Sequence, residues 1–177
     1  MKIKLFGKSV LETFDHYVLE LDLNSFEPIK SDLKMIRLDK EHIEEAGNAI
    51  GNTTRKWIEN DYPYAEGYRF LNGEYEQIGS CWVMFEGGDE KLYKIRKCQS
   101  YIFRLEVDEE YRGHGYSKMI MSDMVNAIKG HGLDKMCLTC ATKNTKALNL
   151  YKGIGMKIKD RKIFVRVFDH NLPYYSL

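Results

Sequence analysis

Apolar positions recur along this chain in two periods. Leu19, Leu21 and Leu23 alternate with Glu20 and Asp22, the period of a strand with one buried face. Pro28 interrupts the chain, and residues 34–38 make a short strand candidate. Asp39 can cap a helix in which Ile43, Ala46, Gly47 and Ile50 follow an i, i+3, i+4, i+7 stripe. A second short helix starts at Thr53 or Thr54 and carries Trp57 and Ile58; it closes before Pro63, which disfavours helix at Tyr62. Residues 68–71, 76–85 and 98–107 then read as a meander of strands, with Asn72-Gly73 as a hairpin turn. In residues 117–129, Ile120, Met124 and Ile128 share a helix face with Met121 and Val125. Gly130 and Gly132 end that helix, and residues 135–140 are strand-like. Strand, helix and strand at this spacing predict a parallel pair with a right-handed crossover. Asn144 can cap a further helix in which Ala147, Leu150, Tyr151 and Ile154 share a face, stopped by Gly153 and Gly155. The tail, 156–159 and 162–168, reads as a two-stranded hairpin. The pattern predicts about seven strands and about four helices.

Size and charge narrow the classes. A chain of 177 residues suits one domain, or one domain with a short extension. The net charge of +1 gives no argument for nucleic acid as a partner. No apolar run approaches the roughly 20 residues needed to span a bilayer, and the first residues lack the apolar stretch of a signal peptide. The expectation is a cytoplasmic protein with no membrane association. Cys137 and Cys140 have CxxC spacing but lie in a strand-like run, which sends them to opposite faces. No second pair completes a zinc site, so the thiols read as structural and no metal is expected. Gly7-Lys8-Ser9 resembles the end of a phosphate-binding P-loop, but the glycine required five residues earlier is Lys2.

The chemistry concentrates at Arg112-Gly113-His114-Gly115-Tyr116-Ser117, between the strand 101–107 and the helix 117–129. A glycine-bearing turn that opens a helix aims several N–H groups at an anion. Gly113 and Gly115 let the backbone approach a phosphate where a Cβ would collide. A dinucleotide fingerprint would need a third glycine where Lys118 stands.

This loop resembles the acetyl-CoA loop of the GNAT superfamily of N-acetyltransferases, with Ser117 where Gly or Ala is commoner. Further on, Asn144-Thr-Lys-Ala147-Leu-Asn-Leu-Tyr151, followed by Gly155-Met156, resembles the family's second motif, with Met156 in place of the usual Phe. The likeness is firm over 101–156, loose over 35–85 and absent over 1–34. It implies an α/β (α+β) fold: a mixed, mostly antiparallel sheet with helices on both faces, splayed between its fourth and fifth strands. It divides the chain into an N-terminal extension, 1–34, packed on a GNAT-like domain, 35–177.

The resemblance also implies the site. The pyrophosphate of acetyl-CoA takes N–H groups of Gly113, His114, Gly115, Tyr116 and Ser117, with Arg112 either touching phosphate or fixing the turn. The pantetheine arm pairs with Leu105, Glu106 and Val107, flanked by Asn144, Ala147 and Tyr151. Tyr151 matches the family's tyrosine acid, or serves as an amphipathic core residue. The family's base positions fall on Gln99 and Tyr101, neither a ready base, though either can hold a relaying water. The acceptor region holds Trp57, Tyr62 and Tyr64 with the acids Glu59, Asp61 and Glu66; this set suits a cationic amine or simply anchors a surface loop. The implied activity is acetyl transfer from acetyl-CoA to a primary amine of a small molecule or peptide, by direct attack. A CoA-binding sensor without catalysis and an acyltransferase for longer acyl-CoA are the alternatives. The sequence leaves a homodimer open.

Overall fold

The alternation around Leu19 belongs to a strand that begins well before it. The computed structural model of the protein describes residues 2–5, 8–41, 52–88, 95, 97 and 99–167. Among the described residues, eight strands form one sheet: β1 (Lys2–Leu5), β2 (Lys8–Asp22), β3 (Lys34–Arg37), β4 (Ala65–Leu71), β5 (Gln77–Met84), β6 (Gln99–Val107), β7 (Lys135–Ala141) and β8 (Lys157–Val167). Their order is β1-β2-β7-β6-β5-β4-β3, with β8 paired to β2. Every pairing is antiparallel except β6 with β7. Counted from β3, the two parallel strands are the fourth and fifth.

Three helices cover the sheet among the described residues: α1 (Asn52–Glu59), α2 (Tyr116–Gly130) and α3 (Thr145–Gly153). On α2, Ile120, Met121, Met124, Val125 and Ile128 are almost wholly buried in a cluster with Leu19, Leu21, Phe70, Val83, Ile102 and Leu138. Full burial of each such side chain stabilises the fold by about 1.5–3 kcal/mol relative to exposure. Leu148 and Tyr151 of α3 join the same cluster. The opposite face holds Trp82 and Phe103, on which Trp57 of α1 packs. The helix expected over 43–50 lies outside the described residues, as do Cys98 and Phe168.

The tail is not a hairpin. β8 runs unbroken for 11 residues. β2 offers it an antiparallel edge from Leu11↔Val167 to Glu20↔Lys157, and a register slip beside Val18 absorbs one residue of β8. With that edge available, the chain needs no turn in the middle of the run. The hairpin between β4 and β5 is also wider than Asn72-Gly73 suggests. The Asn72 Oδ1 accepts from the N–H groups of Glu74 and Glu76 at 3.0 and 2.9 Å, and Tyr75, not Gly73, takes a positive φ of 65°. Cys137 and Cys140 do point to opposite faces, one packed with Met84 and Tyr101, the other in the α2 cluster. Among the described residues, no helix is long and apolar enough to cross a membrane.

Candidate active site

The sheet opens where the only parallel pair among the described residues separates. β6 and β7 are paired through Gln99↔Lys135, Ser100↔Met136 and Tyr101↔Cys137, and through no residue beyond. On its other side β6 follows β5, but with a slip between Ser80 and Trp82, opposite Arg104 at φ 51°. The bulge turns the strand so that the backbone from Arg104 to Val107 borders the opening. Leu105 and Val107 are half-buried and Glu106 is exposed. An extended ligand arm entering here can pair with this edge as an added strand.

The glycine loop closes one end of the opening. Gly113 and Gly115 both have φ of +87°, a conformation that costs a residue with a Cβ about 1–2 kcal/mol. A Cβ at either position would meet nothing within 4 Å, so the space beside both is open. Gly115 is the N-cap of α2 and supplies no capping side chain. The N–H groups of residues 113–117 make no turn or cap hydrogen bond with the described residues. Together with the positive end of a 15-residue helix, they form an anion cradle. Arg112 is exposed and its Nε donates to the Val107 carbonyl at 2.9 Å, which ties the loop to the end of β6. His114 is exposed, with Nδ1 3.4 Å from the Tyr111 carbonyl oxygen.

Across the opening stands α3. The Asn144 Oδ1 accepts from the Ala147 N–H at 3.2 Å and caps the helix. Tyr151 is half-buried beside the thiols of Cys140 and Cys81. Burial pushes its phenol well above the ordinary tyrosine range, so it keeps its proton and remains a donor.

On the other face of the sheet an aromatic wall leads to the same opening. Trp57 stacks on Tyr62 with centroids 5.2 Å apart, and meets Trp82 and Phe103 edge-on at 6.2 and 5.9 Å. Tyr62 meets Tyr64 at 5.5 Å, and Phe103 stacks near Tyr101 at 6.3 Å. A cavity of about 230 Å³ lies under this wall, lined by Trp57, Tyr62, Asp61, Glu66 and Trp82 among others. The Trp82 Nε1 is buried without a hydrogen-bond partner, which leaves a donor at the cavity's floor. Gln99 and Tyr101 are committed elsewhere. The Gln99 amide donates to Glu20 at 3.1 Å, and the Tyr101 hydroxyl bridges to Thr139 across the base of the opening at 2.7 Å. Burial raises the Tyr101 phenol as well, so it is no base near neutrality.

Two side chains that motif spacing did not reveal come from β2. Glu20 receives Gln99 and lies within 3.6 Å of Lys135 and Lys159. His16 sits directly across from Ala141, at the end of β7. The only advance signal was alternation: Val18, Glu20 and His16 share the face opposite Leu19 and Leu21. Which strand they would border was not in that pattern.

The family model described as the Acetyltransferase (GNAT) family matches residues 36–156. N-alpha-acetyltransferase 30 of Saccharomyces cerevisiae is 32% identical over 68 residues, 38% of this chain and 38% of that protein. The [Ribosomal protein bS18]-alanine N-acetyltransferase of Haemophilus ducreyi is 22% identical over 118 residues, 64% of this chain and 70% of that protein. Among solved structures, a GCN5-related N-acetyltransferase from Sphaerobacter thermophilus superposes with a TM-score of 0.61 at 15% identity, covering 88% of this chain and 52% of that one. The chain thus spans about half of that structure and 38% of the yeast relative. With a matching model over most of its length, an opening between parallel strands and a glycine loop at its mouth, the chain belongs to the GNAT acetyltransferase family.

Proposed function

We propose that this protein transfers the acetyl group of acetyl-CoA to a primary amine. The observation that carries the reading is the opening beyond Tyr101 and Cys137, with unpaired backbone on β6, the cradle at residues 113–117 at one end and the Tyr151 phenol beside it. The cradle fits a pyrophosphate in charge and in open space. The β6 edge from Leu105 to Val107 fits the pantetheine arm, with Asn144 and Ala147 flanking it. Tyr151 protonates the sulfur as the C–S bond breaks. Trp57, Tyr62 and Tyr64 form the approach for the amine, and their ring faces suit its cationic form, while Glu66 is committed to Arg37 and His131. The names of the relatives support an amine acceptor. The buried thiols of Cys81 and Cys140 suit a reducing, cytoplasmic setting.

A second reading is a CoA-binding module without turnover, favoured by the commitment of Gln99 and Tyr101 to Glu20 and Thr139. Release of free thiol from acetyl-CoA, followed over a panel of amines and unblocked peptides, separates the two. Turnover on any member is the expected result. Binding of CoA by calorimetry with no turnover supports the module, and no binding of acetyl-CoA removes both.

A further inference from the structure

The acceptor amine arrives as an ammonium ion and must lose a proton before it can attack. The positions on β6 that face the amine do not take it: Gln99 has no titratable group and Tyr101 is held in its protonated form. β2 supplies another candidate. His16 shares the aromatic-wall face of the sheet with Glu20, which reaches Gln99, and pairs with Ala141 at the open end of β7. Thr139, which binds the Tyr101 hydroxyl, lies on the same face two residues before Ala141. The imidazole packs edge-on against Phe164 with centroids 5.4 Å apart. Neither ring nitrogen receives a hydrogen bond from the described residues, and Nδ1 is buried without a partner. An imidazole left unsatisfied in a packed sheet calls for a reason, and work on a proton is one. His16 also borders a cavity of about 410 Å³ with Asp15, Ala141, Thr142 and Lys143.

Resting on the acetyltransferase reading, we propose that His16 is the general base, a residue brought to the site by the N-terminal strand. The other ring nitrogen, Nε2, accepts a proton from the ammonium. The amine lone pair then forms the C–N bond as the C–S bond breaks. Of the two protons the nitrogen gives up, one balances the proton Tyr151 delivers to the sulfur, and the other leaves to solvent from His16. The charged groups next to His16 are Asp15 on its own strand, Lys162 across from it on β8, and Lys143, which lines the same cavity; Glu20 lies four residues further along β2. Asp15 is bound bidentately by Arg161 at 2.8 and 2.6 Å, and its carboxylate is electrostatically coupled to His16.

The test is H16Q, assayed with acetyl-CoA against a primary alkylamine and a short unblocked peptide across a pH series. Loss of about 10²-fold in kcat/KM near neutrality is expected, in line with general base catalysis. The deficit should shrink as alkaline pH frees the amine unaided, while acetyl-CoA affinity stays unchanged. A wild-type pH profile in H16Q overturns the proposal. If the wild type turns over neither probe, the acetyltransferase reading is what fails for those amines. The imidazole resonance of His16, followed by NMR in the CoA-bound protein, then decides the proposal. A shift on adding the alkylamine supports it, and an unmoved resonance overturns it.

Discussion

In the function we propose, the donor side and the acceptor side of the opening are built in different ways. The donor side uses one continuous stretch, from β6 through α3, and works mainly with backbone: strand edge, glycine loop and helix N-terminus. The acceptor side uses side chains from β2, α1, β5, β6 and β7, gathered from positions as far apart as His16 and Thr139. Backbone recognition tolerates changes of side chain as long as φ values and open space persist. Side-chain recognition tolerates little, because each group depends on the packing of a different element. The cofactor half can therefore stay constant while the acceptor half differs between proteins of one fold.

Gly113→Val should break the donor half most severely. A branched residue at φ +87° is strained, and its side chain fills the open space a phosphate would use. Calorimetry should show acetyl-CoA affinity falling by at least about 100-fold, close to 3 kcal/mol, with the circular dichroism spectrum retained. Unchanged affinity would place the cofactor elsewhere. Tyr151→Phe should separate binding from chemistry. We expect turnover to fall about 10²-fold with acetyl-CoA affinity nearly intact. Because burial raises the phenol, wild-type turnover should show no alkaline loss from this group below about pH 10, the ordinary tyrosine value. Equal losses of binding and turnover would instead assign Tyr151 to packing. Trp57→Ala tests the acceptor half alone. Each aromatic pair it breaks is worth about 0.5–1.5 kcal/mol, and KM for the amine should rise about tenfold with acetyl-CoA affinity unmoved. A parallel loss of acetyl-CoA affinity would mean the two halves are not independent.

The same contrast explains what was legible in the chain. The Arg112–Ser117 loop, the α2 stripe and the Asn144 cap were readable because each is set by neighbours within a few residues. The parallel pair followed from the spacing of strand, helix and strand. Gln99 and Tyr101 could be located on the strand, but their hydrogen bonds to Glu20 and Thr139 could not, since both partners are remote in sequence. The tail hairpin failed for a related reason: the spacing allowed a turn near Asp160, and only the edge of β2 made it unnecessary.

By itself, the sequence determined the glycine loop, the Asn144 cap and the α2 stripe, because turns, caps and helical stripes are local consequences of residue type. It also determined which face of residues 18–23 is buried, since alternation dictates a face. Only the tertiary structure decided which strands those residues join. A strand's hydrogen-bonding groups are the same along its whole length, so alternation names no partner. Here β2 settles between β7 and β8. That placement carries Glu20 to Gln99 and His16 to the end of β7, beside an opening that the local motifs had already outlined.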